Sequence, residues 1–317
     1  MTKVPVLFTL YFSSLLSSSH AHAQEKRAVL YRDSIFTAVN LQKDLYYGVS
    51  SNGERESKAY RYDLYMPAGE GSHPLGFSGG RPLIIWIHGG GFKFGSRRAA
   101  GIRLWCNSFA RRGYLCAAIN YRLSGKNTLG NFKKLVEGCY DAVEDARAAV
   151  VFFKTHYQVL GIDTSRIILA GNSAGGMIAL QAAYSTPSEL LQLTGKPLPA
   201  SLSSHPGPGG IAAVINFWGA LFEADWLANA RIPIVSVHGG RDGIVVPGRK
   251  GEYLFGSAAI HAKADSLSIP NRVWIYEGYS HELQKHFNPF FVSRATKGRW
   301  QEAGQFAADF LYEELFR

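Results

Sequence analysis

The stretch "SRIILAGNSAGGMIAL" (residues 165–180) decides the fold. Ile167, Ile168 and Leu169 form a short apolar run of strand character, Gly-Asn-Ser-Ala-Gly follows, and an apolar segment beginning at Met177 has helical length. A strand that turns sharply into a helix through Gly-x-Ser-x-Gly holds its serine at the tip of a strained turn, and the flanking residues must be small because the backbone passes close to itself. Ser173 is therefore the candidate nucleophile. A second match, "GFSGG" at 76–80, sits in "GEGSHPLGFSGGRP", with no apolar run before it and a Pro-led strand after it. That context predicts a loop and sets Ser78 aside.

Working outward, "RPLIIWIHGGG" (81–91) and "GYLCAAINYRL" (113–123) carry continuous apolar runs, the mark of strands buried on both faces. Between them, Ile102, Trp105, Cys106 and Phe109 recur at three- and four-residue steps, a helix closed by Gly113. In "EGCYDAVEDARAAVVFFKTHYQVLG" (137–161), Tyr140, Val143, Ala146, Val150 and Phe153 make one apolar helical face. Strands recur at "IAAVINFWG", "IPIVSVHGG" and "RVWIYEG", and "RWQEAGQFAADFLYEELF" predicts a terminal amphipathic helix. Toward the N-terminus, two alternating runs around Ser51-Asn52-Gly53 predict antiparallel edge strands. Strand alternating with helix in this way implies an α/β fold: a mostly parallel twisted sheet with helices on both faces and an antiparallel N-terminal edge. Residues 24–317 are expected to form a single domain. Residues 187–210, broken by Pro, Gly and Ser, are read as a loop or partly helical insertion, a possible lid.

The chain has 317 residues, of which 46% are hydrophobic and 18% charged, so a packed core is expected and disorder is not. Residues 1–23 combine Lys3, an apolar run from Val4 to Leu16 and a closing Ala21-His22-Ala23, the pattern of a cleaved export signal. The run is too short to span a bilayer, so a secreted or periplasmic protein without stable membrane insertion is expected. Net charge is +10, but the basic clusters are short and scattered and no nucleic-acid motif accompanies them, so no nucleic-acid partner is expected. Cys106, Cys116 and Cys139 leave two readings open: one bridged pair with a free thiol, or three buried thiols.

A serine hydroxyl needs a base, an acid to orient it and donors for the oxyanion. "HGGGF" (88–92) ends an earlier strand, and its glycines can aim backbone N–H groups at a developing oxyanion, joined by the N–H of Ala174. "VHGGRDGIVVP" (237–247) puts Asp242 just after a strand, and "YEGYSHE" (276–282) puts His281 just after another. Ser173, Asp242, His281 in that order, each at a C-terminal strand end, is the α/β-hydrolase order.

On these motifs the chain resembles α/β-hydrolases of the carboxylesterase type, close to exported bacterial feruloyl- and acetyl-xylan-esterase-like enzymes, from about Lys43 onward. The resemblance implies Ser173 as nucleophile, His281 as general base and acid, and Asp242 as its partner. It implies Gly90, Gly91 and Ala174 as oxyanion donors, with Gly89 the competitor among the three glycines. Asn172 departs from the many hormone-sensitive-lipase-type relatives that carry Asp before the serine. The expected partner is a small-molecule or polysaccharide-linked ester, and no cofactor is expected. A peptidase of the prolyl-oligopeptidase type shares the elbow but usually carries an aromatic beside the serine and lacks the "HGGGF" turn, so Ala174 and residues 88–92 favour ester over amide. A non-catalytic binding module on the same fold stays as the third reading.

For substrate contacts the reading selects Trp218 and Phe222, with Phe217, Leu221 and Trp226, because "NFWGALFEADW" (216–226) follows a strand at its C-terminal end. His281 and His286 in "HELQKH" lie five apart, about 140° around a helix, unlike the one-face spacing of a zinc pair, so no metal is expected. His88 and His238 are expected to tie strand-end loops by hydrogen bonds. "GPGGIA" (207–212) precedes a strand, the reverse of a dinucleotide-binding turn, so no cofactor site is expected there.

Overall fold

The computed structural model describes residues 28–48, 58–69, 79–125, 128, 131–196 and 209–317. In chain order the strands are β1 Ala38–Tyr46, β2 Arg61–Ala68, β3 Arg81–Ile87, β4 Leu115–Ile119, β5 Ile162–Asn172, β6 Ala213–Phe217, β7 Ala220–Leu221, β8 Ile234–Gly239, β9 Arg249–Lys250, β10 Leu254–Gly256 and β11 Asn271–Tyr276. The helices are α1 Ala100–Ala110, α2 Phe132–Thr155, α3 Tyr157–Leu160, α4 Ala174–Tyr184, α5 Pro187–Thr194, α6 Ser257–Ser266 and α7 Arg294–Phe316.

Eight strands form one sheet in the order β1-β2-β4-β3-β5-β6-β8-β11. β1 pairs antiparallel with β2, and β2 with β4; every later pairing is parallel. The expected architecture, antiparallel edge included, is what the chain adopts. The Ser51-Asn52-Gly53 turn lies outside the described residues, as do the leader (1–23) and Ser78.

The period-2 alternation of side chains explains why the central strands read as unbroken apolar runs. In β3, Leu83, Ile85 and Ile87 enter the core on the side of α2 and α4, while Ile84 and Trp86 enter the core on the side of α1 and α7. Both faces of β3 are therefore dry, and a polar residue at either parity would need a buried partner. α4 is buried along its whole length, which is why it carries no charge and shows no polar face.

On α2, Val143, Ala146, Val150 and Phe153 are buried as the periodicity requires. The helix begins earlier than expected, at Phe132, because the Asn131 side chain accepts the Lys134 N–H as an N-cap. α7 likewise starts at Arg294, where Ser293 caps it. Pro187–Thr194 is a helix opened by a Thr186–Glu189 capping box, and its Leu190 and Leu191 pack into the core. That part of 187–210 is helical, within the expected partly helical insertion; residues 197–208 lie outside the described residues. Neither α6 nor the small sheet β7-β10-β9 is anticipated by the sequence reading. Cys106, Cys116 and Cys139 are free and buried, and burial pushes their thiols up, so the reading of three buried thiols is the correct one.

Candidate active site

Ser173 stands between β5 and α4 with φ 53° and ψ −121°, a conformation rare outside glycine. The flanking glycines are required by space. A Cβ on Gly171 would lie 2.3 Å from the Gly175 carbonyl carbon, and one on Gly175 would lie 2.0 Å from the Ile87 carbonyl oxygen. The Ser173 N–H donates to the Phe217 carbonyl on β6 at 2.8 Å, which fixes the turn to the sheet. The hydroxyl sits at the N-terminus of α4, whose unpaired N–H groups and dipole favour negative charge.

Three separate chain segments converge on that hydroxyl. His281 Nε2 is 2.9 Å from Ser173 Oγ, and His281 Nδ1 is 2.6 Å from Asp242 Oδ2. Nδ1 faces a carboxylate and so carries the proton, leaving the Nε2 lone pair to accept from the serine hydroxyl. Asp242 Oδ1 accepts the N–H groups of Ile244 at 2.9 Å and Val245 at 3.0 Å. Burial pushes the Asp242 carboxyl up, but the N–H groups of His238 and His281 that face it outweigh burial and hold the group well below the usual carboxylate range. The loops bearing Asp242 and His281 meet because Gly239 lacks a side chain: a Cβ there would lie 2.3 Å from the Ser280 carbonyl oxygen.

The turn after β3 lies beside the elbow. Gly90 (φ 116°) and Gly91 (φ 60°) adopt left-handed geometry, and a Cβ on Gly90 would lie 2.2 Å from the Phe94 carbonyl oxygen. The Gly89 N–H is paired, donating to Asn172 Oδ1 at 3.2 Å. Asn172, the departure noted in the sequence, thus ties the elbow to the glycine turn. His88 does the work expected of it: Nδ1–H donates to the Gly89 carbonyl at 2.7 Å, and burial pushes its pKa down to about 4. The Tyr121 hydroxyl donates to the His88 carbonyl at 3.0 Å, and the two rings stack.

Beside Ser173 opens a pocket of about 100 Å³. Gly91 and Ala174 share its rim with the serine, and Leu135, Met177, Leu254 and the Ile244–Val246 loop form apolar walls. Gly90 is not among the lining residues and sits one position back in the turn.

A BD-FAE family profile matches residues 62–228, more than half of the chain. The chain belongs to the BD-FAE family. The BD-FAE chain is 31% identical over 104 residues to gut esterase 1 of Caenorhabditis elegans, an alignment covering 33% of this chain and 18% of that protein. It is 32% identical over 115 residues to the probable carboxylic ester hydrolase LipM of Mycobacterium tuberculosis, covering 36% of this chain and 24% of that protein. The chain thus spans less than a quarter of the length of these curated relatives. In three dimensions it superposes on a thermophilic esterase from Thermogutta terrifontis in its propionate-bound form with a TM-score of 0.59 at 22% identity, covering 86% of this chain and 94% of that one. The shared architecture is the α/β-hydrolase fold.

The BD-FAE chain corrects the expected substrate contacts. Trp218 is 0% exposed and packs among Trp105, Phe217 and Trp300 on the α1/α7 side of the sheet. Its φ of 44° and its N–H bond to the Val237 carbonyl accompany that course away from the pocket. Phe222 is equally buried, edge-on to Phe132, with its N–H donated to Gln181 Oε1 at 3.0 Å. Of the whole segment 216–226 only Ala220 lines the pocket. Position at a strand end does not say which way the next residue turns.

Other contributors in this BD-FAE chain escaped the sequence reading. Thr128 lines the pocket and donates its hydroxyl to the Gly91 carbonyl; Phe287 sets its ring edge-on to His281 at 5.1 Å. Lys250 and Leu254 reach the pocket from the β9–β10 hairpin. None of these carries a motif. His286 is exposed while His281 is buried, so the two histidines do not share a face.

Proposed function

We propose that this protein is a serine carboxylesterase acting on short-chain acyl esters, acetyl esters of plant polysaccharide among them. The observation that carries the reading is the continuous path Asp242 Oδ2, His281 Nδ1, His281 Nε2, Ser173 Oγ, with steps of 2.6 and 2.9 Å across the ring's two ends. His281 takes the hydroxyl proton as Ser173 Oγ bonds to the ester carbonyl carbon, and the N–H groups of Gly90, Gly91 and Ala174 receive the negative oxygen. Collapse breaks the bond to the alcohol, which leaves with the proton from His281 Nε2. Water then adds to the acyl-enzyme, giving its proton to His281; the bond to Oγ breaks, Ser173 recovers its proton, and the acid departs. Asp242 holds the ring in the required tautomer and stabilises its charged form.

Pocket size supports a short acyl group. A dry cavity of roughly 150 Å³ admits one benzene, so about 100 Å³ suits acetyl to butyryl chains and leaves a feruloyl ring in the mouth. Export through the leader at 1–23 is part of this proposal; its support is the Lys3, apolar run and Ala-His-Ala pattern.

The test is hydrolysis of p-nitrophenyl acetate through octanoate, methyl ferulate, acetylated xylan and a prolyl p-nitroanilide by wild type and Ser173→Ala. Ser173-dependent turnover falling beyond butyrate is expected. Turnover of the anilide alone would overturn the esterase reading in favour of a peptidase, and no turnover of any substrate would leave a binding module.

A further inference from the structure

Asp242 is held by a second imidazole. His238, on β8, is 0% exposed, and the mechanism above uses none of its atoms. Its Nε2 faces two acceptors, the Val245 carbonyl at 2.8 Å and Asp242 Oδ2 at 3.4 Å, so Nε2 carries the proton. Its Nδ1 lies 2.7 Å from Ser257 Oγ. Ser257 Oγ receives an N–H from Asn216 Nδ2 at 3.2 Å, leaving its own proton for His238 Nδ1. Asn216 also donates to Ser236 Oγ at 3.1 Å and accepts the Gly219 N–H at 2.9 Å. Asn216, Ser236, Ser257 and His238 are all buried, so each bond is shielded from water and each missing one would leave an unpaired polar group.

The bond to Val245 gives this network a purpose. The segment from Asp242 to Val246 does two jobs: the N–H groups of Ile244 and Val245 fix Asp242 Oδ1, and the side chains of Ile244, Val245 and Val246 wall the pocket. We infer that His238 is a positioning residue that ties the acid of the triad and the acyl wall to the sheet through one ring, its tautomer set by Ser257 and Asn216. Orientation of the carboxylate and the shape met by the acyl group are then linked. This inference rests on the esterase reading above.

The test compares wild type with His238→Ala, His238→Gln, Ser257→Ala, Asp242→Asn and the double variant His238→Ala/Asp242→Asn, measuring kcat and KM on p-nitrophenyl acetate and hexanoate. Loss of one orienting bond is expected to cost about tenfold in kcat for His238→Ala. The acetate-over-hexanoate preference is expected to flatten as the wall relaxes. Gln offers an N–H near the Nε2 position and is expected to recover most of the kcat, and Ser257→Ala to lose a few-fold. In the Asp242→Asn background His238→Ala is expected to cost less than about threefold more, because its target is already altered. An equal kcat loss in both backgrounds, no recovery with Gln, or an unchanged acyl preference would overturn the inference. If His238→Ala does not fold, Ser257→Ala and His238→Gln decide it by the same kcat and acyl-preference readings. No ester turnover by wild type would instead sink the esterase reading itself, and turnover that survives Ser173→Ala would sink its Ser173 mechanism, so these failures are distinct from failure of the inference.

Discussion

The side-chain carbonyl of Asn172 accepts the Gly89 N–H at 3.2 Å, joining the residue before Ser173 to the glycine turn 83 positions earlier. The bond fixes the strand that ends at Ser173 relative to the glycine turn, which in the proposed mechanism carries the oxyanion donors. Asn172→Leu is therefore expected to lower kcat about tenfold, the worth of one orienting hydrogen bond, with little change in KM. Asn172→Asp keeps an acceptor at the same place and should retain most activity. Steady-state kinetics on p-nitrophenyl acetate check both; equal activity of Leu and wild type would dissociate Asn172 from the oxyanion turn.

Ser173→Ala should abolish ester turnover while leaving the melting temperature nearly unchanged. Ser173→Gly should also be inactive, yet more stable, because φ 53° with ψ −121° costs a non-glycine residue on the order of 1 kcal/mol or more. Thermal unfolding of the three proteins measures this. A glycine variant less stable than the alanine variant would show that the strain argument fails at this turn.

Leu254 lines the pocket from β10, as Met177 does from α4. Leu254→Ala removes three carbons from the wall and should move the preferred chain from acetyl–butyryl toward hexanoyl or octanoyl, with kcat/KM on the longer esters rising about tenfold, as one to two methylenes in an apolar pocket are worth. An unchanged profile would mean that the acyl chain lies elsewhere.

Burial pushes His88 and His261 from 6.5 down to about 4. Between those values the unfolded chain binds protons that the folded chain does not, so stability is complete above pH 6.5 and falls as pH drops toward 4, at about 1.4 kcal/mol per pH unit for each ring. Urea titrations from pH 7 to 4 should show this slope, and His261→Asn, which keeps the Nδ1-side bond to Asn271 within reach, should roughly halve it by removing one of the two rings. A flat profile in wild type would mean that neither ring stays neutral in the folded protein.

The fold was legible because its signals are local and cooperative. Continuous apolar runs at Leu83–Ile87 and Leu115–Ile119 fit strands covered on both faces, and the uniform apolarity from Ala174 to Tyr184 fits a wholly buried helix. The elbow was legible because Gly171 and Gly175 have no sterically tolerable substitute. The caps at Asn131 and Ser293 extend α2 and α7 past their apolar periodicity, so their starts carry no periodic signal. The β7-β10-β9 sheet, two- and three-residue strands without periodicity, left no pattern to read.

The sequence by itself determined the order of elements and the identity of Ser173, Asp242 and His281 as candidates, since strand, turn and helix follow from neighbouring residues. Tertiary structure alone decided what stands around them. It turned Trp218 and Phe222 into core, paired Gly89 with Asn172, and brought His238, Thr128, Leu254 and Phe287 to the site. The physical reason is that a side chain's direction after a strand end, and the partner a buried polar atom finds, depend on packing between segments far apart in the chain, which no local pattern encodes.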